Sequence, residues 1–433
     1  MQLSNYIKLY HCRENTGYHL LYSTKRSSII LLHESVLKSI EEGNVSSSDQ
    51  ESLLSLGFLV PDRDGEKKSM LSLIDDAYKG IKQISAMLVM NLDCNLACRY
   101  CYEGEMKGKF FVSHETADLF INLIEKHFAE GKSVHIDITG GEPLLSFELI
   151  KYISERFKSS AEKRGPQYTF NLVTNGTLLT GKKAEELASL GLKGSKITLD
   201  GSKQNHNYYR PFKSGSGTFD TIIRNIKETC EIIKIQIGGN FNPENYREFP
   251  YLLDYLIEEG ITPDKISFVK FAPISKTGKE FAPPEFTGGC ASINEPWLIK
   301  ASIFLREEIL KRGFNTPRIT PSFCVIESPE DIVVNYDGTL YKCPGFIGWK
   351  GLEVGNLKTG IKDYQESHKL DLWKKEECLN CEYLPLCFGG CRYMKLLRDG
   401  NIDDVDCRKP FFDATLETFI KQDVKYILKA DNC

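Results

Sequence analysis

The sequence predicts an α/β protein built around a parallel β-sheet, and two observations carry this prediction. The middle third of the chain contains six apolar segments of strand length, at 84–90, 134–139, 168–174, 196–200, 233–239 and 266–273. Amphipathic segments with apolar residues at three- and four-residue spacing lie between them, for example at 115–130 and 147–160. Because strands that alternate with helices form βαβ units, a parallel sheet follows, and it can curl into a partial barrel. We therefore predict a partial (β/α)6 barrel with its chemistry at the C-terminal ends of the strands.

The first 80 residues have a different pattern, which predicts a small separate domain. Residues 6–32 predict short strands joined by polar turns. Residues 33–43 and 46–60 predict two short helices that end in a strand, and the polar residues 61–80 predict a linker with a short helix. Together with a cysteine-rich C-terminal part, this divides the chain into three predicted domains, at 1–80, 81–285 and 286–433.

The bulk composition indicates an intracellular protein. At 433 residues the chain is long enough for two or three domains with a substantial core. The net charge is only −4 and no run of Lys or Arg stands out, which predicts neither a nucleic-acid nor a membrane partner. The N-terminus lacks the pattern of a signal peptide, and no apolar segment is long enough to span a membrane. Fourteen cysteines then favour metal ligation over disulfides, and we expect a cytoplasmic location.

Three cysteines follow the first barrel strand within eight residues, at Cys94, Cys98 and Cys101. A 4Fe-4S cluster takes one thiolate on each iron, so three cysteines leave one iron free to bind a substrate or cofactor. Structural zinc is the alternative, but it needs a fourth ligand and usually paired Cys-x2-Cys turns. The spacing therefore favours iron and sulfur.

The spacing of these cysteines, with the aromatic Tyr100 before the last, resembles the signature of the radical S-adenosylmethionine (SAM) enzymes. The resemblance implies that the open iron chelates the amino and carboxylate groups of SAM. It implies a contact of Tyr100 with the same cofactor.

The resemblance extends through the next hundred residues. Gly140, Gly141, Glu142 and Pro143 follow an apolar strand and are similar to the GGEP turn, whose Glu and backbone meet the SAM amino group in this family. Asn175 and Asp200 end the next two strands, where the resemblance implies nucleoside contacts, although Asn-Gly and Asp-Gly are also ordinary turn pairs.

Arg210 lies where similar enzymes carry an arginine near the SAM carboxylate. An ordinary surface arginine is the alternative.

A second array of seven cysteines resembles the SPASM domain, an auxiliary-cluster domain of radical SAM enzymes that modify peptides. The resemblance implies an outer cluster held by Cys378, Cys381, Cys387 and Cys407. It implies an inner cluster held by Cys324, Cys343 and Cys391. Either Cys290 or an open iron that takes a substrate thiolate completes the inner cluster. We therefore expect three 4Fe-4S clusters and SAM as cofactors.

Residues 1–80 resemble the small winged-helix-like peptide-recognition domain of many ribosomal-peptide maturases. The likeness is architectural and includes no motif, so a structural cap on the barrel remains the alternative.

These resemblances imply a peptide maturase. It would cleave SAM reductively, abstract a hydrogen from a ribosomally made precursor with a leader, and form a thioether or carbon-carbon crosslink. Its implied partners are that precursor and a low-potential electron donor such as ferredoxin or flavodoxin. No catalytic base is recognisable from spacing.

Two other functions stay open. One is a formylglycine-generating enzyme similar to anaerobic sulfatase maturases, which typically carry an Asp where Pro344 follows Cys343 here. The other is a multi-cluster electron carrier without catalysis, which would not explain the open-site cysteines together with the GGEP turn.

Overall fold

The computed structural model of the protein describes residues 1–12, 16–101, 103–275 and 289–428. Its contacts divide the chain into two compact units. We call the first the terminal unit, which comprises residues 1–80, 318–328 and the chain from 369 onward. The second is the sheet unit, which comprises residues 81–317 and 329–368. The predicted boundary between residues 285 and 286 lies outside the described residues, and the three-domain division by function stays a prediction.

The N-terminal part of the terminal unit consists of short strands and helices. In chain order they are β1 (Gln2–Leu3), β2 (Ile7–His11), β3 (Tyr18–Ser23), β4 (Ile29–His33), α1 (Glu34–Glu41), α2 (Ser47–Ser55), β5 (Leu59–Val60), α3 (Arg63–Leu71) and α4 (Leu73–Tyr78). Strands β2, β3 and β4 form an antiparallel sheet, and β1 pairs with β5. The strands and helices predicted for the first 60 residues are present.

Residues 61–80 differ from the prediction of a linker with a short helix, because two consecutive helices, α3 and α4, fill this segment. The physical reason is burial. Met70 and Ile74, four residues apart, enter the same apolar core as Tyr6 and Trp373. Charged residues elsewhere in the two helices, such as Lys68 and Asp75, are exposed, which made the segment appear polar in the sequence.

The sheet unit contains the predicted alternation of strands and helices. Its elements are β6 (Gln83–Val89), α5 (His114–Ala129), β7 (Ser133–Thr139), α6 (Phe147–Arg164), β8 (Tyr168–Thr174), α7 (Gly181–Ser189), β9 (Leu192–Thr198), α8 (Lys203–Tyr209), α9 (Phe219–Thr229), β10 (Lys234–Phe241), α10 (Phe249–Glu258), β11 (Ile266–Pro273), α11 (Pro296–Lys311), β12 (Ile332–Val334), β13 (Thr339–Tyr341), β14 (Gly355–Asn356) and β15 (Gly360–Ile361).

All of these strands belong to one sheet, in the order β11-β10-β9-β8-β7-β6-β12-β13-β14-β15. Strands β6 to β11 pair in parallel with their neighbours, and β12 extends the parallel part beside β6. The predicted α/β fold with a parallel sheet is confirmed. Strand β9 begins at Leu192, four residues before the predicted start, because Lys193 and Gly194 interrupt the apolar pattern there.

The two faces of the parallel sheet differ in chemistry. One face is apolar and packs against helices, as where the ring of Phe271 on β11 lies 4.4 Å from the ring of Phe249 on α10. The opposite face, which we call the open face, carries polar side chains at alternate positions. They include His135 and Asp137 on β7, Asn171 on β8, Lys196 on β9, Gln236 and Asn240 on β10 and Lys270 on β11. This two-residue alternation is what a half-covered sheet requires.

The C-terminal part of the terminal unit is helical. It contains α12 (Glu376–Leu379), α13 (Leu384–Cys387), α14 (Arg392–Asp399), α15 (Lys409–Asp423) and a final π-helical turn at Val424–Leu428. A buried ion pair joins Arg392 to Glu327, with 3.2 Å between Nη2 and Oε1. In the described part of the chain, we find no helix with both the length and the apolar character that a membrane crossing needs.

Candidate functional site

The first cysteine array lies in the loop after β6, at the C-terminal edge of the parallel sheet. Cys94 is buried, and its sulfur accepts a hydrogen bond from the Leu96 amide over 3.4 Å. Burial raises the pKa of the Cys98 thiol to about 11. The positive charge of Arg210 opposes this rise in pKa, whereas the nearby thiols of Cys101 and Cys94 add to the rise. The three thiols are thus neighbours, and a positive charge faces them.

The glycine turn after β7 holds this cysteine loop in place by backbone contact. The Gly141 amide donates to the Asn91 carbonyl over 3.0 Å, and the Glu142 amide donates to the Asp93 carbonyl over 2.8 Å. A Cβ added at Gly141 would lie 2.2 Å from the Asp93 carbonyl oxygen, which is far inside van der Waals contact. The turn therefore needs glycine so that the two loops can approach each other.

Glu142 connects the ends of β7 and β8. Its side chain is fully buried and accepts hydrogen bonds from the Thr174 hydroxyl at 2.8 Å, the Asn175 amide at 2.9 Å and the Leu144 amide at 3.0 Å. Burial raises the pKa of this carboxyl group, and these donors oppose the rise. Both oxygens of Glu142 are therefore engaged by the protein, and its contact with SAM stays a prediction.

Asn175 also contacts the cysteine loop. Its Nδ2 donates to Asn95 Oδ1 over 2.8 Å and approaches the Cys94 sulfur at 3.6 Å. Its Oδ1 accepts from the Thr177 amide over 2.9 Å. The Asn175 side chain thus stabilises the cysteine loop. Its predicted contact with the nucleoside stays a prediction.

A buried polar network surrounds the hydroxyl of Tyr100. This hydroxyl donates to Asp200 and accepts from Arg210 Nη1 over 2.9 Å and from Asn240 Nδ2 over 3.0 Å. The Asn240 amide donates to the second Asp200 oxygen over 2.8 Å. Burial raises the pKa of Asp200, which the positive charge of Arg210 opposes. The structure thus places three of the sequence-predicted cofactor residues in one network.

Arg210 keeps one donor free inside this network. Its Nε is buried and has no hydrogen-bond partner among the described residues. Buried guanidinium groups are normally satisfied, so this N–H is suited to an acceptor such as a ligand carboxylate. The alternative of a surface arginine is wrong, since the side chain lies inside the sheet unit with Cys98, Tyr100 and Asp200 as charge neighbours.

These residues fit a 4Fe-4S cluster that binds a cofactor with a carboxylate. In the described ranges, no group of three or more His, Cys, Asp or Glu side chains could hold a single metal ion. A 4Fe-4S cluster does not need several ligands around one metal ion, because each of its irons takes a separate thiolate. Neighbouring thiols, a buried cation and a glycine turn are what that assignment needs.

In the terminal unit, the four cysteines assigned to the outer cluster share one cavity. Its volume is about 330 Å³, and Cys378, Cys381, Cys387 and Cys407 all line it. Burial raises the pKa of Cys387 to about 12, and Cys407 is exposed. Three successive residues after Cys387 have positive φ, at 38°, 82° and 78°, which turns the chain sharply before Cys391.

The remaining predicted ligands are described within their own units. In the terminal unit, Cys324 lies near Cys391 and accepts from the Ile326 and Arg392 amides, while burial raises its pKa. In the sheet unit, Cys290 is fully buried with its amide bonded to the Ile274 carbonyl over 2.8 Å, and Cys343 follows β13. Their assignment to an inner cluster stays a prediction.

Asn240 and His206 were missed in the sequence. Asn240 links Tyr100 to Asp200, and His206 Nδ1 accepts from the Asp200 amide over 3.1 Å. Asn240 could have been found, because it follows the apolar segment 233–239 as Asn175 follows its own strand. No spacing signal marks His206.

Comparison with known proteins agrees with this geometry. Residues 88–256 match the Radical SAM superfamily. An uncharacterized protein of Methanocaldococcus jannaschii is 31% identical over 281 residues, which cover 62% of this chain and 87% of that protein. The radical SAM cyclopropyl synthase TigE of Paramaledivibacter caminithermalis is 24% identical over 370 residues, which cover 75% of this chain and 71% of TigE.

Solved structures share the fold. The enzyme anSMEcpe, with bound AdoMet and the Kp18Cys peptide, superposes with a TM-score of 0.63 at 19% identity, over 81% of this chain and 100% of that one. Streptococcus suis SuiB bound to SAM gives a TM-score of 0.54 at 16% identity, over 94% of this chain and 99% of that one. The cysteine loop, the glycine turn and the matched sequence agree, and the chain belongs to the radical SAM superfamily of enzymes.

Proposed function

We propose that this chain is a peptide maturase that cleaves SAM reductively, abstracts a hydrogen from a ribosomally made precursor and installs a thioether or carbon-carbon crosslink. The observation that carries the proposal is the junction of the cysteine loop, the glycine turn and the buried Arg210. Membership in the superfamily implies a 4Fe-4S cluster and SAM. When bound, this pair supplies a 5'-deoxyadenosyl radical that can remove a substrate hydrogen.

The chain's own residues would bind and orient these partners. Cys94, Cys98 and Cys101 would hold the cluster. The free Nε–H of Arg210 would bind the SAM carboxylate. The Tyr100 hydroxyl, which accepts a hydrogen bond from Arg210 Nη1, would orient the guanidinium. The open face of the sheet would take the peptide, because it is the polar face at the same C-terminal edge.

A peptide substrate is supported by the structural neighbours. SuiB has been solved with its precursor peptide SuiA, at a TM-score of 0.51 to this chain. The SuiB match covers 94% of this chain, and the anSMEcpe match covers 81%. We infer that residues 1–80 bind a leader segment, with the edge strands β2 and β4 open to an added strand.

We further propose two auxiliary 4Fe-4S clusters in the cysteine-rich part of the chain. The cavity formed by Cys378, Cys381, Cys387 and Cys407 supports the outer one. A product radical must lose one electron to become a closed-shell product, and such clusters would accept that electron. A low-potential donor such as ferredoxin or flavodoxin would supply the electron that starts SAM cleavage. The inner cluster would use Cys324, Cys343 and Cys391, with Cys290 or a substrate thiolate as the fourth ligand.

A formylglycine-generating activity is the second candidate, because the anaerobic sulfatase maturases resemble this chain in both the barrel and the cysteine-rich tail. Against it, a short helical turn at Pro344–Phe346 follows Cys343 directly. No carboxylate occupies this turn, where the sulfatase maturases typically carry their catalytic base. The peptide-crosslinking function is therefore the one we prefer.

The proposal is tested by comparing the two cysteine arrays in anaerobically reconstituted protein. Replacing Cys94, Cys98 and Cys101 with Ala should abolish reductive cleavage of SAM to 5'-deoxyadenosine. Replacing Cys378 and Cys381 with Ala should leave part of that cleavage but remove peptide product. Cys230→Ala is the matched control, because this cysteine lies at the end of α9 outside both arrays.

Chromatography of 5'-deoxyadenosine and mass spectrometry of the precursor measure the two outcomes. Cleavage at the wild-type rate by the triple variant would exclude the radical SAM assignment. Normal crosslinking by the double variant would exclude an obligatory outer electron route. Because metal sites can contribute to folding energy, the fold of this variant is verified by circular dichroism.

A further inference from the structure

Two lysines lie close together on the open face of the sheet. Lys196 is on β9 and Lys270 is on β11, and both are exposed. No ion pair or hydrogen bond of either ammonium is found in the part of the chain that the structure describes. Elsewhere in the sheet unit lysines do find carboxylates, as Lys213 does with Asp93 at 2.7 Å.

The two lysines face the same space above β10. Lys270 is paired in register with Gly238 on β10, and Lys196 is paired with Gln236 on the same strand. A Cβ added at Gly238 would lie 3.0 Å from Lys196 Cε, so the Lys196 side chain crosses directly over this glycine. Because position 238 has no side chain, the Lys196 side chain can lie across β10 toward Lys270.

Packing on the other face fixes this orientation. Ile197, next to Lys196, is fully buried and lies beside Gly176 and the helix α9. The ring of Phe271, next to Lys270, packs against the ring of Phe249 on α10. Because neighbouring residues of a strand point to opposite faces, Lys196 and Lys270 must point to the open face.

Among the residues that the structure describes, no carboxylate pairs with either lysine. The carboxylate on the same face is Asp137 of β7, which approaches Asn171 at 3.4 Å and His135 at 3.5 Å. Strand β8 separates it from β9. The surrounding protein lowers the pKa of Lys196, and the charge of Lys270 lowers it further. Two unpaired like charges side by side are unfavourable until an anion joins them.

The pair also lies close to the cofactor network. Asn240, whose side chain donates to Tyr100, is two residues beyond Gly238 on β10 and points to the same face. Two residues of strand span roughly 7 Å. A group held by the lysines would therefore be next to the site proposed for SAM.

We propose that Lys196 and Lys270 bind a carboxylate of the peptide substrate, an Asp or Glu side chain next to the residue that is modified. The inference rests on the proposed function and adds a substrate preference to it. The methionine carboxylate of SAM has the same chemistry and is the second source to be tested. Arg210, with its free buried Nε, is the better partner for that carboxylate.

Competitive acetylation of the holoenzyme tests the proposal, with each lysine followed by mass spectrometry. The probes are two capped tripeptides, acetyl-Gly-Glu-Gly-amide and its Gln counterpart. The Glu peptide should slow acetylation of Lys196 and Lys270 at least about threefold relative to the Gln peptide. Lys193, exposed on the same strand, is the internal control and should not change.

Variants and a second probe separate the outcomes. In Lys270→Gln the Glu peptide should no longer protect Lys196, whereas in Lys193→Gln the protection should persist. Equal acetylation with both peptides would overturn the proposal. Protection by SAM but not by decarboxylated SAM, without any effect of the Glu peptide, would assign the site to the cofactor and overturn the peptide assignment.

The same preparation is assayed for reductive SAM cleavage. If the protein cleaves SAM but the Glu peptide does not protect the two lysines from acetylation, the proposed function stands and this inference is wrong. If the Glu peptide protects the two lysines but the protein does not cleave SAM, the proposed function is wrong and the carboxylate site stands.

Discussion

The hydroxyl of Tyr100 uses its full hydrogen-bonding capacity inside the protein. It donates once, to Asp200, and accepts twice, from Arg210 and Asn240. A hydroxyl offers one donor and two acceptor positions, so this atom is saturated. The Asp200 carboxylate and the Arg210 guanidinium are both buried, and the tyrosine hydroxyl bridges them by hydrogen bonds. Tyr100 is thereby a positioning residue for the arginine.

We expect Tyr100→Phe to weaken SAM binding about tenfold, because Arg210 loses the acceptor that orients it. The variant should also lose about 1–3 kcal/mol of stability, since buried polar groups are left unpaired. Calorimetric titration with SAM and with 5'-methylthioadenosine, which lacks the carboxylate, measures the effect. A positioning role predicts weaker SAM binding but unchanged binding of 5'-methylthioadenosine.

Tyr251→Phe on α10 is the matched control, since this tyrosine is exposed. An equal loss for both ligands in Tyr100→Phe would show that the residue acts only on stability.

At the scale of single residues, the sequence singled out the cysteines and most of the residues around them, but not the hydrogen bonds that these residues make. Metal ligands must keep a fixed spacing along the chain, so Cys94, Cys98 and Cys101 stand out in the sequence. Asn175 was predicted by position alone, and its side chain is used to support the cysteine loop. Asn240 meets Tyr100 across a separation of 140 residues, which no local pattern encodes.

At the scale of elements, strand ends and the loops that follow them build the site. The loop after β6, the turn after β7 and the ends of β8, β9 and β10 lie at one edge because parallel strands run in the same direction. Strand positions were predictable from apolar segments. The contact between two loops was not, because it depends on how closely two backbones approach.

Gly141→Ala tests this loop contact. The new Cβ would lie 2.2 Å from the Asp93 carbonyl oxygen, so the cysteine loop must move away from the glycine turn. We expect the variant to lose most of the iron of the SAM-binding cluster and at least 1–3 kcal/mol of stability, as overpacking typically costs about that much. Iron analysis and electron paramagnetic resonance after reconstitution measure the first effect.

Gly181→Ala at the start of α7 is the control, because a Cβ there meets its neighbours at 3.4 Å or more, an ordinary contact. Normal cluster content in Gly141→Ala would show that the two loops need no close approach.

At the scale of the whole molecule, the two ends of the chain share one core in the terminal unit. Tyr6, Met70 and Ile74 pack with Trp373 and Phe388, and the Tyr6 hydroxyl donates to the Leu379 carbonyl over 2.9 Å. The sequence predicted both segments but could not predict that they pack together. Contacts between residues more than 370 positions apart leave no trace in local periodicity.

This shared core changes what removal of the front segment would do. Phe388 immediately follows Cys387, and Cys378 packs against the same core. Deleting residues 1–80 therefore exposes the apolar support of the outer-cluster cavity, besides removing any leader-binding surface. Loss of precursor processing in such a truncation cannot by itself be assigned to leader binding.

We therefore expect the chain without residues 1–80 to bind fewer irons than the intact chain. Three clusters predict roughly twelve irons in the intact protein, and loss of the outer cluster would leave roughly eight. SAM cleavage should persist, since Cys94 and its loop belong to the sheet unit. Met70→Ala in the full chain should cause a partial form of the same loss, because emptying a buried methionine site costs about 2–5 kcal/mol. Roughly twelve irons in the truncated protein would show that the cysteine-rich segment folds without the front segment, and leader binding could then be measured directly by deletion.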